Sequence, residues 1–284
     1  MGRLPRIKAD PVLDGDTYYH LISRAVQQRR LFGTREKDKF VELLKFLSEV
    51  YYVKVLAFNV MGSHFHIVVR VDRPDNERYS LEDLQERYRR YYGQLDADDI
   101  AEVESRESYY RTRWSDVSKF MQDLKQRFSR WYNWKSGLKG HLWEDRFTSL
   151  LVDSDEYLRR VLVYVELNSV RAGLVKDGRK YRWSGLRDLA MSSGGWGIVS
   201  SKFGEFKELF GSVVEYVKAV LRENAVKIGL EEGELLEKGV VIGSQSVVKK
   251  FMDYAGYQVK KGSERVVKYV NDIYVGLKRR YKKE

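Results

Sequence analysis

The sequence predicts an α+β fold, an antiparallel sheet backed by helices in the split βαβ manner. Three observations carry this expectation. Runs rich in aromatic and β-branched residues alternate with runs of helical periodicity in the order strand, helix, two hairpin strands, helix, strand, helix. The two middle strand-like runs are joined only by Gly62-Ser63, a connection short enough to close a hairpin. A chain of 284 residues with 43% hydrophobic content has ample apolar material for a packed core.

The elements follow in order. Residues 17 to 26, TYYHLISRAV, have strand composition, and REKDKFVELLKFLSEV (35 to 50) spaces its apolar residues as a helix does. YYVKVLAFNVM (51 to 61) and HFHIVVRV (64 to 71) are the hairpin strands. From Asp72 to Arg113 the chain turns charged and tyrosine-rich, as in SLEDLQERYRRYYGQL, and is expected to be an insertion with an exposed helix outside the core. Between Ser115 and Trp134, Val117, Phe120, Met121, Leu124, Phe128, Trp131 and Tyr132 recur at helical spacing, which predicts an amphipathic helix with a basic outer side. HLWEDRFTSLLV (141 to 152) reads as a strand. A helix from about Asp155 to Asn168 follows, with Asp and Ser as N-cap candidates and acids in its first turn. After Tyr181 come a WSG turn, a loop SSGGWG (192 to 197) and helical patterns to the end, so that 1–180 forms the principal domain and 181–284 a helical C-terminal region. The basic end KRRYKK reads as a solvated terminus.

Composition narrows the chemistry. With no cysteine, thiolate nucleophiles, disulfides and cysteine-ligated zinc are excluded. Lys plus Arg number 52 against 41 Asp plus Glu, a net charge of +11, and the basic residues are interleaved with Tyr and Trp. Nucleic acid is therefore the expected partner, in preference to a membrane surface. No run approaches the roughly 18 apolar residues of a membrane span, and the opening residues lack the apolar core of a signal peptide. A cytoplasmic location is expected.

In GSHFHIVV (62 to 69) two of the four histidines stand one residue apart in a strand. Side chains alternate across a strand, so His64 and His66 share a face and can converge on one metal ion. The helix 155 to 168 offers a third donor, because Tyr164 and Asn168 are four residues apart and hence one turn apart on one face. A divalent metal held by two imidazoles and a neutral amide keeps its charge and has open positions. That suits a Lewis acid on a phosphodiester, with magnesium or manganese favoured over a closed zinc site. Tyr164 beside it is the candidate nucleophile.

GSHFHIVV, LKGHLWEDRFTSLLVDSDEYLRRVLVYVELNSVRAGLV (138 to 175), YRWSG and VVIGSQSVVKKF together resemble the single-tyrosine HUH transposases, most of all the REP-associated tyrosine transposases, whose patterns run close to MPNHVHLL, GHLWQGRF and YIELNPVRAGLV. The resemblance spans about Thr17 to Phe251. It implies a ferredoxin-like catalytic domain that cleaves and rejoins single-stranded DNA at hairpin-associated, REP-like sites through a 5′-phosphotyrosine, acting as a monomer or homodimer. By motif it makes His64 and His66 metal ligands, Tyr164 the nucleophile and Asn168 the polar third ligand. Met61-Gly62-Ser63 replaces the usual Met-Pro-Asn, Ser169 a common proline, and Glu144-Asp145 the usual Gln-Gly. These departures touch loop geometry and remove no group that the chemistry needs.

Alternatives stand beside this reading. Tyr157 is the rival nucleophile, and His141 would complete a three-histidine zinc site. A DNA hairpin-binding protein or repressor with idle chemistry, or a hydrolase using metal-bound water, would share the fold. Arg24, Arg29, Arg30, Lys125, Arg127, Arg130, Arg146 and Arg171 are candidate phosphate contacts. His20 is expected to be an ordinary strand histidine, and Trp131, Trp134 and Trp143 to be core.

Overall fold

The structure is a computed structural model that describes residues 16–26, 31–73, 78–191, 195–200, 202–223, 239–243, 248, 267–270 and 273–277. Strands β1 (Thr17–Arg24), β2 (Val53–Val60), β3 (His64–Val71) and β4 (Thr148–Val152) lie in the order β2-β3-β1-β4, every pair antiparallel. Strand β3 thus sits between β1 and β2, which is the expected split βαβ arrangement. A register shift between Val55 and Ala57 places one extra residue in β2 opposite β3, a bulge of the kind that sharpens local twist.

Side chains directly opposite in an antiparallel pair share a face. On one face Phe65 and Ile67 of β3 lie across from Ser23 and Leu21 of β1. Two helices cover this face. Helix α1 (Thr34–Val50) buries Phe40, Val41, Leu44, Leu47 and Val50, a stripe at helical spacing. Three short helices, α2 (Leu81–Tyr92), α3 (Ala97–Ser105) and α4 (Glu107–Trp114), then lead to α5 (Val117–Ser136), which buries Phe120, Met121, Leu124 and Phe128. Asp116 caps the start of α5 by accepting from the Ser118 and Lys119 amides, and Gly137, at φ 64°, closes its end in the left-handed region. The Phe40 ring lies 4.5 Å from that of Phe65, which fixes α1 to the sheet.

Helix α6 (Asp155–Glu166) covers the other face, packed against β2 and β3. Ser154 accepts from the Tyr157 amide, and Asp155 and Glu156 occupy the first turn, as the sequence predicts. One short turn, α7 (Asn168–Arg171), continues the chain.

The insertion departs from expectation. Leu84, Tyr88, Val103, Tyr110 and Trp114 of α2 to α4 are buried and continuous with the main core. Tyrosine explains the misreading, because its ring packs while its hydroxyl finds an acceptor: Tyr88 donates to Asp99, Tyr110 to Glu102 and Tyr91 to Asp123. Arg87 donates to the carbonyls of Val50 and Tyr51 at the end of α1, which ties the insertion to the sheet-backing layer. The expected strand 141 to 152 is also shorter, starting at Thr148, with Trp143 making only an isolated bridge to Ala25.

Beyond residue 181, helices α8 (Gly185–Ala190), α9 (Gly204–Phe210) and α10 (Val213–Glu223) agree with the helical reading. The region is not helical to its end. Strands β5 (Gly239–Gly243), β6 (Val267–Val270) and β7 (Ile273–Leu277) extend the sheet from β4 in the order β5-β7-β6, with β4 and β5 parallel. GVVIG and IYVGL are β-branched runs too short to show a period, so composition favoured the strand where pattern did not decide. The KRRYKK end lies outside the described residues.

The WSG turn locks α8 beneath α6. The Leu186 amide donates to Glu166 Oε2 at 2.8 Å, and burial pushes the Glu166 carboxyl well above the usual carboxylate range. A Cβ on Gly185 would lie 2.6 Å from Glu166 Oε1, 2.9 Å from a Val199 methyl and 3.2 Å from the Phe58 amide nitrogen. Gly185→Ala is therefore expected to destabilise by about 1–3 kcal/mol through overpacking. At roughly 2–4 °C per kcal/mol the melting temperature should fall measurably, and an unchanged melting curve would refute this close approach.

Candidate active site

The strand register assembles the site. On the face beneath α6, Arg24 lies opposite His64, Ile22 opposite His66 and His20 opposite Val68. From β2, Asn59 lies opposite His66. His66 is fully buried and His64 half-buried, with ring centroids 5.1 Å apart. The shared face expected for these two histidines is present.

Tyr164 joins them from α6. Its ring centroid is 6.0 Å from that of His66 and also 6.0 Å from that of His20. Asn59 helps hold this helix end in place by donating through Nδ2 to the Glu166 carbonyl at 3.2 Å. Tyr157, the rival nucleophile, is buried in α6, two turns before Tyr164.

The electrostatics favour neutral imidazoles. Burial lowers the His64 pKa to about 4, with the Arg24 charge adding to the effect. Burial also holds His66 well below its ordinary value, reinforced by His20, His64, Arg24 and Arg171. A neutral imidazole keeps one ring nitrogen lone pair free to bind a cation.

His66 Nδ1 is 2.9 Å from His20 Nε2, while His66 Nε2 is buried with no hydrogen-bond partner among the described residues. When His66 donates from Nδ1 to His20, Nε2 carries the lone pair. A buried ring nitrogen without a partner, whose other nitrogen is hydrogen-bonded to a second residue, is what a metal-ligating histidine requires, so the chemistry of these residues fits a divalent ion.

Asn168 stands one turn beyond Tyr164 as the spacing predicts. Its Nδ2 donates to the Tyr164 carbonyl at 3.1 Å, and its Oδ1 accepts from Arg171 at 3.2 Å. A carbonyl oxygen has two lone pairs, so this bond leaves Asn168 one for a cation. Arg171 lies with its guanidinium carbon 3.8 Å from the centre of the Tyr164 ring. Among the described residues no three His, Asp or Glu side chains gather to hold a metal, and His141 is exposed. The three-histidine zinc alternative therefore has no assembled donor set.

The remaining expected residues separate into groups. Arg24 ends β1 opposite His64, and Lys125, Arg130 and Arg146 line one groove beside α5. Arg127 packs its guanidinium over the rings of Phe46 and Tyr91, at 5.1 and 4.8 Å. Arg29 and Arg30 lie outside the described residues. Trp131 and Trp143 pack against the core as expected, but Trp134 does not and is 81% exposed. His20 is the residue that sequence reasoning missed. Only the β1–β3 register shows that it faces His66, and two-residue alternation within β1 would have found it once that register was known.

Comparison with known proteins finds one family model and a solved structure that resemble parts of the chain. Residues 15–115 match the family model described as transposase IS200 like. The matched segment contains His20, His64 and His66, whereas Tyr164 and Asn168 lie beyond it. A solved REP-associated tyrosine transposase bound to a REP hairpin is similar at 17% identity and a TM-score of 0.42, over 67% of this chain and 86% of that one. Comparison with curated proteins gives no match. Among the described residues no helix is long and apolar enough to cross a membrane.

Proposed function

We propose that the protein cleaves and rejoins single-stranded DNA at hairpin-associated sites, with Tyr164 as the nucleophile. The observation that supports this most directly is that the Tyr164 ring lies against both the neutral, buried His66 and the Arg171 guanidinium. The Tyr164 oxygen attacks the scissile phosphorus and forms a 5′-phosphotyrosine. The bond to the 3′ oxygen breaks, and that oxygen leaves and takes up a proton. One phosphoester replaces another, so the freed 3′-hydroxyl can later attack and reseal without an external energy source.

A tyrosine hydroxyl is a weak nucleophile at neutral pH. Arg171 places positive charge where a phenolate would form, and Asn168 holds Arg171 in position. Magnesium or manganese, held by His64, His66 and the amide of Asn168, would supply Lewis-acid polarisation of the phosphodiester when bound. With His66 as the donor to His20, its Nε2 is the ring nitrogen left to face the ion. An unpaired strand suits the site, because its splayed backbone can reach the sheet face without prior melting.

Incubation with a panel of hairpin-bearing single strands and manganese, followed by denaturing electrophoresis, tests the reading. A covalent protein–DNA adduct and a strand with a free 3′-hydroxyl are expected. Binding without any adduct would identify a hairpin-binding protein with idle chemistry.

Binding itself should depend steeply on salt. With a net charge of +11 the chain should displace counterions from the strand. If about five phosphates are neutralised, affinity should fall on the order of 100-fold between roughly 50 and 200 mM salt. Equal affinity for plain duplex and for hairpin-bearing single strands would count against the proposed substrate.

A further inference from the structure

We propose that the groove between α5 and residues 143–147 is a nucleotide pocket that holds an unpaired base of the DNA strand flanking the hairpin. The inference rests on the single-stranded DNA reading above and adds a place where a base is gripped away from Tyr164.

The cavity measures about 550 Å³, within the range of small-molecule sites and large enough for a base with its sugar. Met121, Trp143 and Phe147 form its apolar walls, and Lys125, Arg130 and Arg146 line it with positive charge. The α5 residues involved fall at helical spacing on one face. Trp143 is pre-oriented. Its indole nitrogen donates to Ser129 Oγ at 2.9 Å, and its ring packs 5.7 Å from both Phe65 and Phe128. Lys125 Nζ donates to the Asp145 carbonyl at 2.9 Å and lies 5.2 Å from the Trp143 ring centre, so one aromatic wall is held beside a cation. Arg130 and Arg146 are exposed on opposite walls, where they can flank a phosphate. The single carboxylate in the lining, Asp145, accepts from the Arg146 amide at 2.6 Å.

A flat aromatic wall beside guanidinium groups matches a base and its phosphate, since every base has a face to stack and every linkage a charge to meet. The 143–147 segment that walls the groove is also hydrogen-bonded to the end of β1. The Glu144 amide donates to the Arg24 carbonyl at 3.0 Å, and Arg24 lies opposite His64. A strand leaving the histidine face around the end of β1 therefore meets the 143–147 segment next. One helical turn past Arg130, the exposed Trp134 offers a second stacking surface on the same path.

The test uses a fluorescent DNA hairpin carrying oligothymidine tails, and the same hairpin with tails made abasic throughout, which keeps the phosphates and removes the bases. The unmodified protein should bind the thymidine-tailed form about tenfold more tightly, in line with the worth of base–aromatic stacking. Trp143→Leu should bring that ratio close to one, and Trp134→Ala, at a site too exposed to affect folding, should reduce it. A ratio of one in the unmodified protein, or a ratio unchanged in both variants, overturns the pocket. Should Trp143→Leu fail to fold, charge reversal decides: Arg130→Glu with Arg146→Glu should weaken binding at least tenfold more than Arg89→Glu with Arg90→Glu on α2. Equal weakening would mean a diffuse electrostatic effect, and no weakening in either pair would leave the groove to a protein partner; both outcomes reject the proposal. The readout needs no cleavage, so an idle active site leaves it intact, whereas absence of any binding by the unmodified protein would defeat both readings together.

Discussion

Tyr164→Phe should abolish the covalent protein–DNA adduct while leaving DNA binding within a few-fold of the unmodified protein. The substitution deletes one hydroxyl and keeps the ring that packs against His20, His66 and Arg171. Its cost to stability should be about 1 kcal/mol, the usual net worth of one hydrogen bond. The cost to chemistry is complete if Tyr164 is the nucleophile, because phenylalanine has no oxygen with which to form the ester. Peptide mapping of the adduct from the unmodified protein provides the decisive check. Attachment at Tyr157 would keep the reaction and replace the nucleophile. Metal-dependent cleavage that survives in the Phe variant with no adduct would mean that water attacks, and the transposase-type mechanism would be wrong for this chain.

Much of the fold was legible because its signals were local. The hairpin around Gly62-Ser63, the stripe of α1 and the Ser154 cap of α6 each depend on neighbours within a few residues, and each appears where the periodicity places it. The insertion was misjudged because a tyrosine is apolar along its ring and polar at its tip, so a count of charge hides its capacity to pack. Strands β5 to β7 were missed because strand pairing at a distance leaves no trace in a five-residue run.

The site divides in the same way. His64 and His66 on a strand, and Tyr164 and Asn168 on a helix, are pairs whose spacing alone puts them on one face. That Tyr164 meets His66 depends on α6 lying over β3, which the resemblance to known motifs implied and the spacing did not. His20 and the placement of Arg171 over the Tyr164 ring are tertiary facts, set by strand register and by the turn after α6. The groove beside α5 needed three-dimensional structure altogether, since its aromatic wall comes from a segment that reads as strand and folds as an irregular crossing.

Replacing both His64 and His66 by alanine should remove manganese binding and, with it, cleavage. The two imidazoles are neutral and on one face, and His66 Nε2 is the buried nitrogen for which the described protein supplies no partner. Loss of His66 also removes the 2.9 Å contact between the two buried histidines, so some destabilisation, about 1 kcal/mol, is expected from the lost hydrogen bond. Calorimetry alone could confuse weaker folding with weaker binding, and a thermal shift separates them. Manganese at about 100 times its dissociation constant should stabilise the unmodified protein by about 2.7 kcal/mol, and should not move the melting temperature of the double variant at all. DNA binding at low salt should survive, because the positive charge that drives it lies on Lys and Arg side chains that neither substitution touches. Unchanged manganese affinity in the folded double variant would overturn the histidine assignment and direct attention to other donors on the same sheet face, of which Asn59, opposite His66 with a buried Oδ1 lacking a hydrogen bond among the described residues, is the nearest in register.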